Sequence, residues 1–338
     1  LSYEKLLVWD ARGLPVPAWF EAASDEQLRI VVDDRSASYP VTIDPTISQQ
    51  AFLKASTNNS SGYGDDRFGH AVAIDGQTVV IGAPGERSNA TGVNGNQTDN
   101  SANDSGAAYV FVRTGTGWSQ QAYLKASNSG EFDQFGISVS ISGETIVVGA
   151  SQEDSAATGV NGNQADNMAP EAGAAYVFVR TGTTWSQQAY LKASNASSGD
   201  FFGGAVSIHA GTIVIGAELE SSAATGVNGN QASNDSFSSG AAYVFVRNGT
   251  TWTQQAYLKA SNTGDGDLFG SAVAIKGDTM FVGAELESGR ARGINGDEQD
   301  IGALAAGASY VFTRTPTGIW SQEAYVKASN TSEYSRFG

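Results

Sequence analysis

"FGHAVAIDGQTVVIGAP", residues 68–84, reads as two short strands and the turn between them. In its first half Val72 and Ile74 alternate with small residues. "DGQ" at 75–77 is a hairpin signal. "TVVIGA" is a continuous apolar run, the pattern of a strand covered on both faces. The stretch returns as "FGISVSISGETIVVGAS" at 135–151, "FGGAVSIHAGTIVIGAE" at 202–218 and "FGSAVAIKGDTMFVGAE" at 269–285. Its FG dipeptide stands at Phe68, Phe135, Phe202, Phe269 and Phe337, with spacings of 67, 67, 67 and 68. A fixed period of this size marks a repeat architecture.

Two more strands complete each unit. The aromatic, β-branched run "GAAYVFVR" or its variant puts a Tyr 41 residues after each of the first four Phe, at Tyr109, Tyr176, Tyr243 and Tyr310. A Trp follows at Trp118, Trp185, Trp252 and Trp320 and opens a polar strand ending in "QQAYLKAS" or a close variant. No segment holds a helical period. The expected fold is therefore all-β: a β-propeller of four-stranded blades of about 67 residues, preceded in 1–46 by a small β-module or the end of a preceding β-domain. The units fall at about 57–127, 128–194, 195–261 and 262–329, and a fifth begins in 330–338. An outer strand, 47–56, precedes the first unit. Familiar propeller repeats run about 40–50 residues. The excess here lies in four loops of identical length, 84–105, 151–172, 218–239 and 285–306.

Three of those loops contain "TGVNGNQ", at 91–97, 158–164 and 225–231, and the fourth contains "RGINGDE" at 292–298. Equal length in every copy predicts a defined, shared path. Gly92, Asn94, Gly95 and Asn96 suit positive-φ turns, and Val93 is expected to anchor the loop on its blade. Strand order puts these loops and the blade-to-blade loops at one end of the blades, so all the elaboration is on one acidic, amide-rich face. Asn94, Asn96, Asn161, Asn163, Asn228, Asn230, Asn295 and Asp297 are the candidate ligand-face residues.

The composition narrows the partners. A net charge of −16 with 19 Lys and Arg argues against nucleic acid. No apolar run approaches the roughly 20 residues that span a bilayer. With no Cys, disulfides, thiolate metal sites and Cys nucleophiles are excluded. The acidic, Asn/Ser/Thr/Gly-rich composition suits a secreted bacterial surface protein. His70 and His209 occupy different positions of their units and form no repeated site. No hydrolase, metalloprotease or phosphate-binding motif is present, so a non-catalytic role is expected.

With FG, "VVIGAP" and "GAAYVF" in place, residues 47–338 resemble FG-GAP repeats, the blades of the integrin α-subunit propeller and of many bacterial secreted proteins. The literal motif is Phe68-Gly69 with Gly82-Ala83-Pro84, and later units read GAS or GAE. The long insert and "VDDRSASYPVTIDP" at 32–45 look like the large bacterial version. The resemblance implies Ca²⁺ binding through D-x-D-x-D-G between first and second strands. Here that connection holds at most one carboxylate, against the about 6–8 oxygens Ca²⁺ takes. No cofactor is therefore expected. The remaining candidate oxygen site combines Asp66, Asp133, Asp200 or Asp267, two residues before each FG, with Asp99, Asp166 or Asp300 of the long loops. The competing reading has these carboxylates bonding local turn N–H groups.

The leading functional expectation is an extracellular, cell-surface scaffold or adhesion propeller that presents its loops to a protein or glycan. The alternatives are a fibre or tube assembled by strand exchange, and a sugar-binding or carbohydrate-active domain. The chain opens in a strand, "EKLLVWDA", and stops two residues into a fifth unit, which predicts a piece of a longer protein. Otherwise strand 47–56 is expected to complete a blade in a neighbouring molecule.

Overall fold

The computed structural model describes residues 3–24, 27–47, 51–56 and 65–338. They form two compact units, residues 1–54 with 115–117, and the remainder. In the first, β1 (Tyr3–Trp9) pairs antiparallel with β4 (Thr42–Ile47), and β2 (Ala18–Ser24) with β3 (Gln27–Val32). Buried Asp10 gathers the turns between them. It accepts the N–H groups of Arg12, Leu14 and Ser38 and the Arg12 guanidinium, which holds its carboxyl well below the usual range.

The second unit is four antiparallel sheets in chain order. The first blade is β5 (Val72–Asp75), β6 (Thr78–Ala83), β7 (Ala107–Thr114) and β8 (Gly117–Leu124). The second is β9 (Ser138–Ser142), β10 (Thr145–Ala150), β11 (Ala174–Thr181) and β12 (Thr184–Leu191). The third is β13 (Phe202–His209), β14 (Thr212–Ala217), β15 (Ala241–Asn248) and β16 (Thr251–Leu258). The fourth is β17 (Phe269–Lys276), β18 (Thr279–Ala284), β20 (Ala308–Arg314) and β21 (Trp320–Lys327), with the short β19 (Gly293–Ile294) added at its outer edge. These are the four-stranded blades of a β-propeller. The expected outer strand 47–56 is different. Ile47 ends β4, 48–50 lie outside the described residues, and 51–56 are not in a strand. In the complete blades an outer strand is held by the third strand of its own unit, and among the described residues no strand pairs with 51–56.

Burial explains the stacking. The second strands β10 and β14 are buried throughout, with side chains going into two different interfaces. Val80, Val110, Ala122 and Leu124 of the first blade pack on Phe135, Val148, Tyr176, Phe178 and Trp185 of the second. The same clusters recur between the second and third blades and between the third and fourth. Phe135, Phe202 and Phe269 are fully buried there, as are Tyr176, Tyr243 and Tyr310, and Tyr109 is buried against Phe68 and Tyr123. Phe135 meets Tyr176 edge-on, with ring centroids 5.3 Å apart, and Tyr176 faces its cross-strand partner Tyr190. Phe68 departs from the expectation of burial between blades. It is half-buried, and among the described residues its ring contacts are Tyr109 and Phe111.

The pairing of FG with GA has a steric cause. A Cβ on Gly149, in β10, would lie 1.9 Å from the carbonyl oxygen of Gly203, the Gly of the next FG. Gly173, before β11, is as tightly covered by the Phe202 carbonyl at 2.1 Å. Backbone meets backbone there, and any side chain would push the blades apart. At the opposite end the tight turns also touch: Gly277 N–H donates to His209 Nδ1 at 3.0 Å, which gives that histidine a structural partner.

Candidate functional site

The four long loops follow one path. Each leaves its second strand, crosses to the outer edge of its own blade and pairs briefly with the fourth strand. The bridges are Val93 to Leu124, Val160 to Leu191 and Val227 to Leu258, and β19 does the same on β21. Val93, Val160 and Val227 pack against the interface clusters, as anchors should. Asn94, Asn161, Asn228 and Asn295 all take φ between 51° and 57°. Each donates its N–H to the carbonyl of Tyr123, Tyr190, Tyr257 or Tyr325 at 2.8 Å. The Oδ1 of each accepts the N–H of that same Tyr, at 2.9 to 3.0 Å. These four amides, expected on the ligand face, also have a structural role: their carboxamide oxygens satisfy the outer strand edge. Asn161→Ala is expected to cost about 1–2 kcal/mol, since it strands a backbone N–H and strains a left-handed residue. Chemical denaturation of the variant measures it.

Asn96, Asn163, Asn230 and Asp297 are exposed, and each Oδ1 accepts an N–H two residues on. Asp99, Asp166 and Asp300 do likewise, with Ser101, Met168 and Gly302. Asp133, Asp200 and Asp267 are buried beneath the blade-to-blade loops and accept from Gly130, Ser197 and Gly264 at 2.7 to 2.8 Å. Asp66, in the first repeat, is half-buried, and its carbonyl accepts the Gly85 N–H. Among the described residues no three acidic or histidine side chains come together as metal ligands would.

The buried aspartates carry a pH signature. Burial pushes Asp133, Asp200 and Asp267 up to about 7, against the pull of their N–H donors. Glu153 and Asp154 add repulsion at Asp133, and Lys125 opposes it. An unfolded Asp titrates near about 3.9. Because the folded value is raised, the contribution is complete below that pH and is lost as pH rises through about 7. The combined variant D133N/D200N/D267N is expected to flatten the fall in denaturation midpoint between about pH 5 and about pH 8. An unchanged slope would refute the assignment.

Beneath the loops lies a buried polar network that sequence reasoning passed over. Lys192 Nζ donates to Glu153 Oε2 at 2.8 Å, with both side chains almost wholly buried. Tyr190 Oη donates to Glu153 Oε1 at 2.8 Å. Asn128, from the segment joining the first two blades, donates Nδ2 to the same Oε1 at 2.7 Å, and its Oδ1 accepts the Tyr176 hydroxyl at 2.7 Å. Lys259, Glu220, Tyr257, Asn195 and Tyr243 repeat the arrangement. So do Lys327, Glu287, Tyr325, Asn262 and Tyr310. The first blade has the ion pair, Lys125 with Glu86 at 3.0 Å, but its sequence carries Thr57 where the others carry Asn. Burial pushes the Lys125, Lys192 and Lys259 ammonium groups below their usual range. The signal was present in the sequence: Glu stands three residues after the "GA" that ends each second strand, and Lys recurs in every "LKAS" or "VKAS".

The loop end also exposes apolar side chains. Met168 is 81% and Phe237 76% exposed, and Phe132, Ile301, Leu304 and Tyr334 are exposed as well. Backbone bonds tie these positions across the junction of long loop and blade-to-blade loop: Phe132 N–H to Asn103 O, Gly266 N–H to Phe237 O, and Tyr334 N–H to Leu304 O.

Sheets of four antiparallel strands, stacked in chain order through FG-to-GA backbone contacts, define a repeat-built β-propeller. The FG-GAP repeat family model matches residues 48–111, 118–178, 185–245 and 252–312, and the chain belongs to that family. No curated protein matches it. Among the described residues no helix is long and apolar enough to cross a membrane.

Proposed function

We propose that the protein is a non-catalytic extracellular scaffold or adhesion propeller whose loop end docks a surface protein or glycan. The observation that carries this reading is the set of exposed apolar side chains, Phe132, Met168, Phe237 and Leu304, on loops whose backbones are hydrogen-bonded into one repeated path. A rigid platform with protruding apolar groups binds at little ordering cost. Their apolar character favours a protein over a glycan, and the surrounding acidic surface disfavours anionic partners. The test is capture of cell-surface proteins and arrayed glycans by the immobilised chain. The combined Phe132→Ser, Met168→Ser, Phe237→Ser and Leu304→Ser variant should lose capture and keep its melting temperature. Equal capture by both would overturn the docking surface.

Self-assembly is the second reading. Val72 and Ile74 of the first blade are 66% and 65% exposed, although their counterparts Val139 and Ile141 are buried against the preceding blade. Phe281 of the fourth blade is exposed beside Ala272 and Ala274. These are the two complementary halves of a blade interface, and head-to-tail stacking would cover both. Sedimentation of wild type against V72E/I74E tests it: a wild type that stays monomeric at high concentration removes the reading.

A further inference from the structure

We propose that the second, third and fourth blades are each closed by a self-formed isopeptide bond, Asn128 to Lys192, Asn195 to Lys259 and Asn262 to Lys327. One carboxylate touches both reactants. Glu153 accepts from Lys192 Nζ on Oε2 and from Asn128 Nδ2 on Oε1. The Asn128 carbonyl oxygen accepts the Tyr176 hydroxyl, which is placed to stabilise negative charge developing there. Lys192, Glu153 and Tyr176 are buried, which shields the attacking amine and the carboxylate from water, while Asn128 is half-buried. Burial also lowers the cost of the neutral amine and keeps the Tyr176 hydroxyl protonated, as a donor must be.

The chemistry balances without any added reactant. The Lys192 ammonium cedes a proton to Glu153. The free amine crosses the carboxylate to attack Cγ of Asn128, forming the Nζ–Cγ bond. Glu153 returns its proton to Nδ2 as the Cγ–Nδ2 bond breaks and ammonia leaves, then takes the second proton from Nζ and passes it to the ammonia, which regenerates the carboxylate. An ammonium and a carboxamide have become a secondary amide and an ammonium ion. No electrons are transferred. Proximity and the shared proton carrier are the catalysis.

The spacing shows what such bonds would do. Lys192 lies three residues before Asn195, and Lys259 three before Asn262. Tension entering at Asn128 would pass directly to Lys192, then to Asn195, Lys259, Asn262 and Lys327. Each blade from the second to the fourth would be bypassed by a covalent shunt. In the first unit Thr57 follows "LKAS" where the later units have Asn, so no bond to Lys125 is expected.

Mass decides the proposal. The folded chain is expected to weigh three ammonia masses less than its sequence. Trypsin acting on denatured protein should cleave after Lys125 but not after the acylated Lys192, Lys259 and Lys327, and linked peptides should carry Asn128 with Lys192. Glu153→Gln should restore one ammonia mass and cleavage after Lys192, leaving the other two bonds intact. Succinimides at the Asn-Gly pairs also shed ammonia but join no peptides, so the linked peptide is the decisive readout. A folded chain at full sequence mass, cleaved normally after Lys192, overturns the proposal, as does an ammonia deficit without linked peptides.

Discussion

Gly216→Ala is expected to destabilise the blade stack by about 3 kcal/mol or more, from the addition of one methyl group. The new Cβ would lie 1.9 Å from the Gly270 carbonyl oxygen and 2.8 Å from its carbon. Both atoms are backbone, so no side chain can rotate away. Relief requires the third and fourth blades to separate and loosen the cluster of Val214, Val244, Phe269 and Tyr310 between them. Gly159→Ala is the matched control. Gly159 has φ of +72° with open space where the Cβ would go, so only the left-handed strain of about 1–2 kcal/mol applies. Urea midpoints of the two variants compare them directly. A Gly216→Ala protein no less stable than Gly159→Ala would show that the close approach is not holding the blades in register.

Phe135→Ala should cost about 3–5 kcal/mol, the usual penalty for emptying a fully buried aromatic site. Phe135 has no exposed surface, and it abuts Tyr176 and Phe178 on one sheet and the first blade on the other side. Phe68→Ala, at the same position of the first unit, should cost clearly less, because half-buried Phe68 loses fewer contacts. The ratio of the two effects is the sharper measurement. Equal losses would mean that burial between blades is not what the motif Phe contributes.

The pattern of FG, GA, Tyr and Trp made the blades legible without coordinates. A strand covered on both faces reads as a continuous apolar run whatever covers it, and β6, β10 and β14 lie where such runs stand. The equal loop lengths likewise announced one repeated path, which the Asn94, Asn161, Asn228 and Asn295 bonds realise. The outer strand expected at 47–56 shows the converse: residues 51–56 are not in a strand, and 48–50 lie outside the described residues. Its side-chain pattern matches β12 and β16, but a strand exists only with a partner edge, and a pattern carries no information about whether one is present.

What each polar side chain does was decided by tertiary structure. Asn94 and Asn96 are two residues apart with the same composition around them. One seals a strand edge and the other caps its own turn, because only the first lies against Tyr123. Glu153, Lys192, Asn128 and Tyr176 are scattered over a whole repeat and meet only when the second blade folds and the segment leading into it docks on that blade. The sequence by itself determined the repeat, the strands and the apolar interfaces, since periodicity and burial are properties of local pattern. The polar site was set by the fold, since a buried charge finds its partner through space and not along the chain.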